Sequence, residues 1–217
     1  MPRLHTFIFD LDGTLVDSAP AILASFHSAF DAAGRHPVRA ISADIIGPPL
    51  TETLQLLSGS ADAAVIDALS AHFKAAYDGE GLTRTTAYDG VDAMLRALHA
   101  AGHPLHIATN KRLHPTEKIL AMLGWDALFT TVYALDMVTP RLPDKATMIA
   151  RQLAEQAIDP TTTAYIGDRR EDGEAARANR LAFFAATWGY GAIDAASLPP
   201  DWRHLPTPDP QRLRAAQ

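Results

Sequence analysis

The chain has 217 residues, of which 47% are hydrophobic, with no cysteine and a formal net charge of −6 at pH 7. This length predicts one or two domains with a sizeable core, whereas the net charge argues against nonspecific nucleic-acid binding and the missing cysteine excludes disulfides and thiol catalysis. Because no apolar stretch reaches the roughly 18 residues of a spanning helix and the first strand leaves no room for a signal peptide, we expect a cytoplasmic protein without a membrane or nucleic-acid partner.

The first predicted element is a short buried strand, residues 7–9, which ends at Asp10, Asp12 and Gly13. Open α/β sheets bind ligands at the carboxyl ends of their strands, and two carboxylates this close repel unless a cation lies between them. Mg²⁺ suits the position because it takes oxygen ligands and accepts phosphate in its shell. The pair indicates phosphoryl transfer, with Asp10 attacking a phosphate ester and Asp12 as general acid and base. A solvated Asp-x-Asp-Gly turn is the alternative.

After Ser18 the hydrophobic period becomes helical, and no strand pattern returns before Leu105. A helical block that follows the first strand directly predicts a small cap domain over the site. We assign residues 18–88 to this cap and residues 1–17 and 89–217 to an α/β core. The predicted cap helices are 19–33, 51–57 and 61–77.

The rest of the chain alternates between helices and strands, which predicts a mostly parallel, doubly wound sheet with helices on both faces. Five prolines after Leu198 predict a tail that runs over the surface without regular structure, apart from a short terminal helix at best. The predicted strands are 105–109, 131–134, 164–167 and 182–186, and the predicted helices are 91–101, 116–123, 145–156 and 171–179.

Two further positions in this alternation carry groups that can bind phosphate. The strand that ends at Thr109 and Asn110 presents a hydroxyl and backbone N–H groups, which can bind phosphoryl oxygens. Lys145, at the start of a helix, can neutralise the charge of nucleophile and phosphate. The alternatives are an ordinary helix N-cap at Thr109 and Asn110 and a solvated lysine at 145.

A third position is the strand that ends at Asp168, with Asp172 four residues later. Asp168 is placed to complete a metal shell, while Asp172 can hold a metal-bound water or Lys145. A capping aspartate followed by a surface aspartate is the alternative. The nine histidines show none of the spacings of a zinc site, which argues against zinc.

Together, in this order, the four segments resemble the motifs of the haloacid dehalogenase superfamily, and within it the phosphoglycolate-phosphatase-like branch. Three further segments, at residues 46–50, 88–91 and 188–191, also resemble landmarks of that branch. The resemblance implies a Rossmann-like core, a helical cap, Mg²⁺ as cofactor and a phosphate ester as substrate. It implies that Asp10 is the nucleophile and a metal ligand, and that Asp12 is the general acid/base and binds the metal through its backbone carbonyl. It also implies that Thr109 and Lys145 correspond to the hydroxyl and lysine motifs. Asp168 would be a further metal ligand, with Asp172 as its supporting partner.

Two residues depart from that pattern: Lys145 lacks the proline that often follows it in relatives, and Arg169 stands where Thr or Ser is frequent. Neither change removes a required group. The sequence therefore predicts a Mg²⁺-dependent phosphatase of a small phosphate monoester, with 2-phosphoglycolate indicated by resemblance alone.

Several alternatives remain open. A phosphomutase of the same superfamily would use the same Asp10 and Asp12 but return the phosphoryl group to substrate. A receiver-like, phospho-accepting signalling module is the alternative from a different class, although a receiver is shorter and has no cap. A dehalogenase would need neither a metal nor Asp12, and a phosphonate hydrolase would need an imine-forming cap lysine, for which Lys74 is the only candidate.

Overall fold

The computed structural model describes residues 3–191 and 193–214. Six strands of this part form one parallel sheet, and two short strands form an antiparallel pair beside it. In chain order the strands are β1 (Thr6–Phe9), β2 (Val16–Asp17), β3 (Thr86–Ala87), β4 (Leu105–Thr109), β5 (Thr131–Ala134), β6 (Thr163–Gly167), β7 (Ala182–Ala186) and β8 (Trp202–Leu205).

Helices cover both faces of the sheet, so the predicted fold class, a Rossmann-like doubly wound α/β sheet, is confirmed. Every residue of β1 is buried, as expected for a central parallel strand. None of the helices in the described residues combines the length and hydrophobicity that a membrane span requires. In chain order they are α1 (Ala19–Ala32), α2 (Leu50–Ser58), α3 (Ala63–Asp78), α4 (Val91–Ala100), α5 (Leu113–Met122), α6 (Lys145–Glu155), α7 (Arg170–Ala178) and α8 (Pro210–Arg214).

The strand order β5-β4-β1-β6-β7-β8 places β1 at the centre, where the chain changes direction across the sheet. Phe9 of β1 is paired with Ile107 of β4 on one side and with Ile166 of β6 on the other. The carboxyl ends of these three strands therefore meet at one edge. That edge is the topological switch point at which open α/β sheets bind their ligands.

Alternation along the strands builds a separate hydrophobic core on each face of the sheet. Phe7 and Phe9 face one core, together with Ile107 and with side chains of α4 and α5. Ile8 faces the other, together with Tyr165 and with side chains of α6 and α7. The period of two residues along a strand thus explains why both cores draw on β1.

The helices α1 to α3 lie between β2 and β3, and these two strands pair antiparallel, with Val16 opposite Ala87. The segments that enter and leave the helical block therefore run side by side. Within the block, α1 packs on α3 through Phe26 and Phe73, whose ring centroids are 4.5 Å apart. The division into a cap of residues 18–88 and a core stays a prediction, and residues 1, 2, 192 and 215–217 of that core lie outside the described residues.

The prediction for the tail was wrong at β8, which forms the sixth strand beside β7. An edge strand has a single neighbour, so prolines on either side of four residues do not interrupt its pairing. The prediction that no strand lies between Ser18 and Leu105 was also wrong, because β3 has only two residues and is too short to show a hydrophobic period. The equally short β2, before Ser18, was not predicted either. The helix predicted at 116–123 begins earlier, at Leu113, since Pro115 is tolerated in a first helical turn.

Replacing Gly173 by alanine tests the packing of α7 on β8. A Cβ at Gly173 would lie 2.1 Å from the Trp202 ring, so the two elements must move apart at a typical cost of about 1–3 kcal/mol. Helix propensity alone would favour alanine by about 1 kcal/mol. A fall in the free energy of unfolding, measured by urea titration, therefore indicates that the overlap with Trp202 outweighs helix propensity, and a rise indicates the reverse. Gly173→Ala combined with Trp202→Leu should cost less than the two single changes added together. A single variant more stable than the wild type would contradict the packing.

Candidate active site

Three aspartates from two distant segments of the sequence lie together at the carboxyl edge of the sheet. Asp10 follows β1, Asp168 follows β6 and Asp172 lies in the first turn of α7, and all three are buried. One carboxylate oxygen from each lies within 4.8 Å of the others. The tertiary structure thus assembles an acid cluster at the switch point, as expected from the strand ends.

Lys145 enters this cluster as its buried cation. Its Nζ atom lies 2.5 Å from Oδ1 of Asp172 and 3.1 Å from Oδ2 of Asp10. The position is set by the start of α6, where the Asp144 side chain accepts a hydrogen bond from the Thr147 amide and caps the helix. Burial lowers the pKa of Lys145, but Asp10 and Asp172 outweigh it and hold that pKa well above the ordinary value. The lysine therefore stays charged.

Two carboxylate oxygens of the cluster have no hydrogen-bond partner although they are buried: Oδ1 of Asp10 and Oδ2 of Asp168. Their sister oxygens are occupied, by Lys145 at Asp10 and by a 3.3 Å hydrogen bond from Thr14 at Asp168. Buried polar atoms are normally paired. Two unpaired carboxylate oxygens within one acid cluster fit a hard cation such as Mg²⁺, which prefers oxygen ligands.

Asp172 is engaged on both oxygens. Besides Lys145 on Oδ1, the amide of Arg169 donates to Oδ2 at 2.9 Å, which closes the first turn of α7. Asp172 thus holds the lysine and the start of the helix. Direct contact with a metal stays a prediction for this residue.

The charge balance of the cluster is unfavourable for ionised acids. Burial raises the pKa of Asp10 to about 6, against the lowering effect of Lys145 and with a further raising effect of Asp172. Burial, then Asp172 and Asp10, raise the pKa of Asp168 well above the usual range. One lysine does not compensate three buried carboxylates, so a second cation is electrostatically favoured.

Glycines allow the surrounding loops to approach the acids closely. Gly13 has a φ of +84°, and a Cβ there would lie 2.2 Å from Oδ2 of Asp168. A Cβ at Gly189 would lie 1.9 Å from the carbonyl oxygen of Gly13. Trp188 fixes the same loop by donating from Nε1 to the carbonyl of Thr14 at 2.9 Å. The segment at residues 188–191 therefore supports the site by packing.

Asp12 does not join the cluster with its side chain. Its Oδ1 accepts a 2.5 Å hydrogen bond from Ser18, and Lys111 Nζ lies 3.1 Å from both of its carboxylate oxygens. Lys111 also donates to the hydroxyl of Tyr77 at 2.7 Å. Lys111 directly follows Thr109 and Asn110, but it could not be predicted as a site residue, because a buried lysine after a strand end has the same sequence pattern as a solvated one.

Thr109 and Asn110 have different surroundings. Thr109 is buried at the end of β4, where its Oγ1 accepts a 3.2 Å hydrogen bond from the Lys111 amide, and its own O–H can still donate. The Asn110 side chain donates to the carbonyl of Gly47 at 3.0 Å and to Glu171 at 3.1 Å, so it joins the loop before α2 to α7. The role of Asn110 in phosphate binding stays a prediction.

A cavity opens beside Asp12, between the helical block and the residues that follow β4. Its walls are mostly apolar, and its two cations are Lys111 and Arg112, the latter paired with Asp78 at 2.8 Å. The exposed Lys74 is not among the lining residues, so the structure offers no support for an imine-forming cap lysine. The apolar lining includes Ile22, Phe26, Ile45, Ile46, Leu50 and Phe73.

The sequence matches the family model of the haloacid dehalogenase-like hydrolases over residues 7–186. Among curated proteins, it is 34% identical over 188 residues to a phosphoglycolate phosphatase of Xylella fastidiosa, which covers 86% of this chain and 81% of that protein. The resemblance drawn from the motifs is thereby confirmed.

Solved structures agree on the fold. A crystal structure of a predicted phosphoglycolate phosphatase from Haemophilus somnus matches with a TM-score of 0.84 and 25% identity over 100% of both chains. Protein Tyrosine Kinase A of Mycobacterium tuberculosis matches with a TM-score of 0.79 and 30% identity over 98% of both chains. Proteins that share this fold are therefore named as a phosphatase in one case and as a kinase in another.

The raised pKa of Asp10 predicts how the free energy of unfolding of the metal-free protein, measured in EDTA, depends on pH. The folded pKa of Asp10, about 6, exceeds the ordinary value of 3.8, so the folded state binds the extra proton and is favoured at low pH. This contribution is full below about pH 4 and is lost as the pH rises through about 6. Asp10→Asn should therefore be more stable than the wild type at pH 7, by about 1–3 kcal/mol, and the advantage should vanish near pH 4.

Urea unfolding of both proteins at several pH values measures this difference. Asp67→Asn, at an exposed position of α3, serves as the matched control and should show no such advantage. An Asp10→Asn protein less stable than the wild type at pH 7 would contradict the electrostatic account.

Proposed function

Because the chain belongs to the haloacid dehalogenase-like hydrolases, we propose that it is a Mg²⁺-dependent phosphatase that hydrolyses a small phosphate monoester through an aspartyl phosphate on Asp10. One observation carries the proposal: three buried aspartates lie together at the switch point of the sheet, two of them are ion-paired with a buried lysine, and two carboxylate oxygens of the group have no hydrogen-bond partner. A candidate nucleophile, a cation and oxygen atoms suited to a metal thus lie in one place, which supports the proposal.

Asp10 and Asp168 would hold Mg²⁺, which supplies positive charge opposite the transferring phosphoryl group. Lys145 adds a fixed charge beside the nucleophile. The O–H of Thr109, at the end of the neighbouring strand, is available to donate to a phosphoryl oxygen. Since phosphoryl transfer depends mainly on positioning and on electrostatic stabilisation, these groups account for the main requirements.

In the first half of the reaction, an oxygen of Asp10 attacks phosphorus and the bond between phosphorus and the ester oxygen breaks. The leaving oxygen takes a proton from Asp12 and departs as an alcohol. In the second half, Asp12, now a carboxylate, accepts a proton from a water molecule that attacks the aspartyl phosphate. Phosphate leaves, and Asp10 is restored.

The alcohol part of the ester would occupy the cavity beside Asp12. We propose 2-phosphoglycolate as the first ester to test, since curated relatives at 33–34% identity are named phosphoglycolate phosphatase. Arg112 is the cation of the cavity that we expect to meet a substrate carboxylate, although it is ion-paired with Asp78 in the protein. A cytoplasmic location stays a prediction.

The acceptor of the phosphoryl group is the point on which a second candidate function differs. A relative with the same fold is named as a tyrosine kinase, and a phosphomutase would also pass the group to an acceptor other than water. Hydrolysis of an ester, phosphorylation of tyrosine and phosphoryl transfer back to a substrate can all use Asp10, so the reaction products distinguish the three functions.

Phosphate release tests the proposal directly. With a panel of phosphate monoesters that includes 2-phosphoglycolate, we expect release that requires Mg²⁺ and stops with EDTA. Asp10→Asn should lower kcat by about 10³-fold or more, since it removes the nucleophile. No release, together with labelling of the protein or of tyrosine by radioactive ATP, would contradict the phosphatase in favour of a kinase. Turnover only in the presence of a bisphosphate would indicate a mutase.

Mg²⁺ titration tests the assignment of Asp168. Asp168→Asn removes one of the two unpaired oxygens, so half-maximal activity should require at least about tenfold more Mg²⁺. The Mg²⁺-dependent rise in Tm should shift to higher concentration by the same factor, a readout that needs no turnover. Asp67→Asn is again the control, and an unchanged Mg²⁺ requirement in Asp168→Asn would contradict the assignment.

A further inference from the structure

A second buried lysine, Lys111, connects Asp12 to the helical block. Its side chain is 6% exposed and that of Asp12 is 13% exposed. The three N–H groups of the Lys111 ammonium each meet an acceptor: the two Asp12 oxygens at 3.1 Å and the Tyr77 hydroxyl at 2.7 Å. Nothing in the reaction scheme above assigns a role to this lysine.

Both hydrogen-bonding neighbours of the Asp12 side chain, Ser18 and Lys111, donate to it. A carboxylate accepts at about four lone-pair positions. Oδ1 accepts from Ser18 and from Lys111, and Oδ2 accepts from Lys111 alone. One lone-pair position on Oδ2 therefore remains for a further proton donor, and the orientation of the carboxylate plane is fixed.

Lys111 needs support of its own to hold that geometry. A free lysine side chain has rotamer freedom worth about 2 kcal/mol, which Tyr77 restricts in two ways. The hydroxyl of Tyr77 accepts from Nζ, and the ammonium lies 4.5 Å from the centroid of the Tyr77 ring, within cation–π range. Tyr77 is 1% exposed in the last turn of α3, where it stacks on Phe73.

We propose that Lys111, held by Tyr77, is a positioning residue for the second half of the reaction, in which it orients the Asp12 carboxylate to accept a proton from the attacking water. The inference rests on the proposed phosphatase function. After Asp12 has given its proton to the leaving alcohol, it becomes the carboxylate that Lys111 and Ser18 bind. Because Tyr77 belongs to α3, this step requires the helical block to be packed on the core.

Kinetics with 4-nitrophenyl phosphate separate the two halves. The leaving group of this ester departs without needing a proton, so kcat/KM reports attack by Asp10, whereas a slow second half lowers kcat alone. Tyr77→Phe removes one hydroxyl and should lower kcat about fivefold, and Lys111→Met should lower it about 10–100-fold. In both variants kcat/KM should stay within about twofold of the wild type. In both variants, a burst of 4-nitrophenolate equal to the enzyme concentration should precede the steady state, because the first half of the reaction is then faster than the second.

The matched control is Tyr133→Phe, which removes a hydroxyl from a buried tyrosine of β5 that donates to Glu155 at 2.5 Å, on the other core. It should produce neither a burst nor a fall in kcat. Tm values of all three variants establish that they are folded.

Other outcomes overturn the inference. A parallel fall of kcat and kcat/KM without a burst would indicate a merely structural role for Lys111 and Tyr77. A fall in kcat/KM for alkyl phosphates but not for 4-nitrophenyl phosphate would assign the lysine to the acid step instead. An unchanged kcat in both variants of a working enzyme overturns this inference alone, whereas a wild type that hydrolyses no ester overturns the proposed function and the inference with it.

Discussion

The structure depends on one buried cation that lies among three buried carboxylates. Lys145 contacts Asp10 and Asp172, and Asp168 completes the group. Carboxylates that share a buried site raise one another's pKa. A single lysine leaves the group short of positive charge. The arrangement that is electrostatically unfavourable for the protein alone is therefore the one that the proposed function assigns to Mg²⁺ binding.

The buried lysines Lys145 and Lys111 connect the aspartates of the site to different parts of the fold. Lys145 comes from α6 and contacts Asp10 after β1 and Asp172 in the first turn of α7, so its position depends on the sheet and its flanking helices alone. Lys111 also follows a strand, but it contacts Asp12 on one side and Tyr77 of α3 on the other. Asp10 is therefore held by residues of the sheet and its flanking helices, whereas the orientation of Asp12 depends on a contact with α3, which the chain inserts after its second strand.

Much of the fold could be predicted because its strands are short, buried and sharply ended. The strands at 105–109, 131–134 and 182–186 have the predicted bounds, and β1 and β6 each begin one residue earlier than predicted. The strand β8 escaped prediction because an edge strand needs only one neighbour and tolerates flanking prolines. Its pairing with β7, and the packing of Trp202 against Gly173, are contacts between distant segments that local pattern does not encode.

By itself the sequence determined the fold class, the family and the identity of the acids at the strand ends, because a buried parallel strand and the polar residue that ends it are both local patterns. Only the tertiary structure decided which side chains meet. It directed Asp12 towards Lys111 and Ser18, engaged Asn110 with Gly47 and Glu171, and left oxygens of Asp10 and Asp168 unpaired. The physical reason is that a side chain's direction and its partners depend on contacts across the sheet edge and with the helical block, which residues adjacent in sequence do not specify.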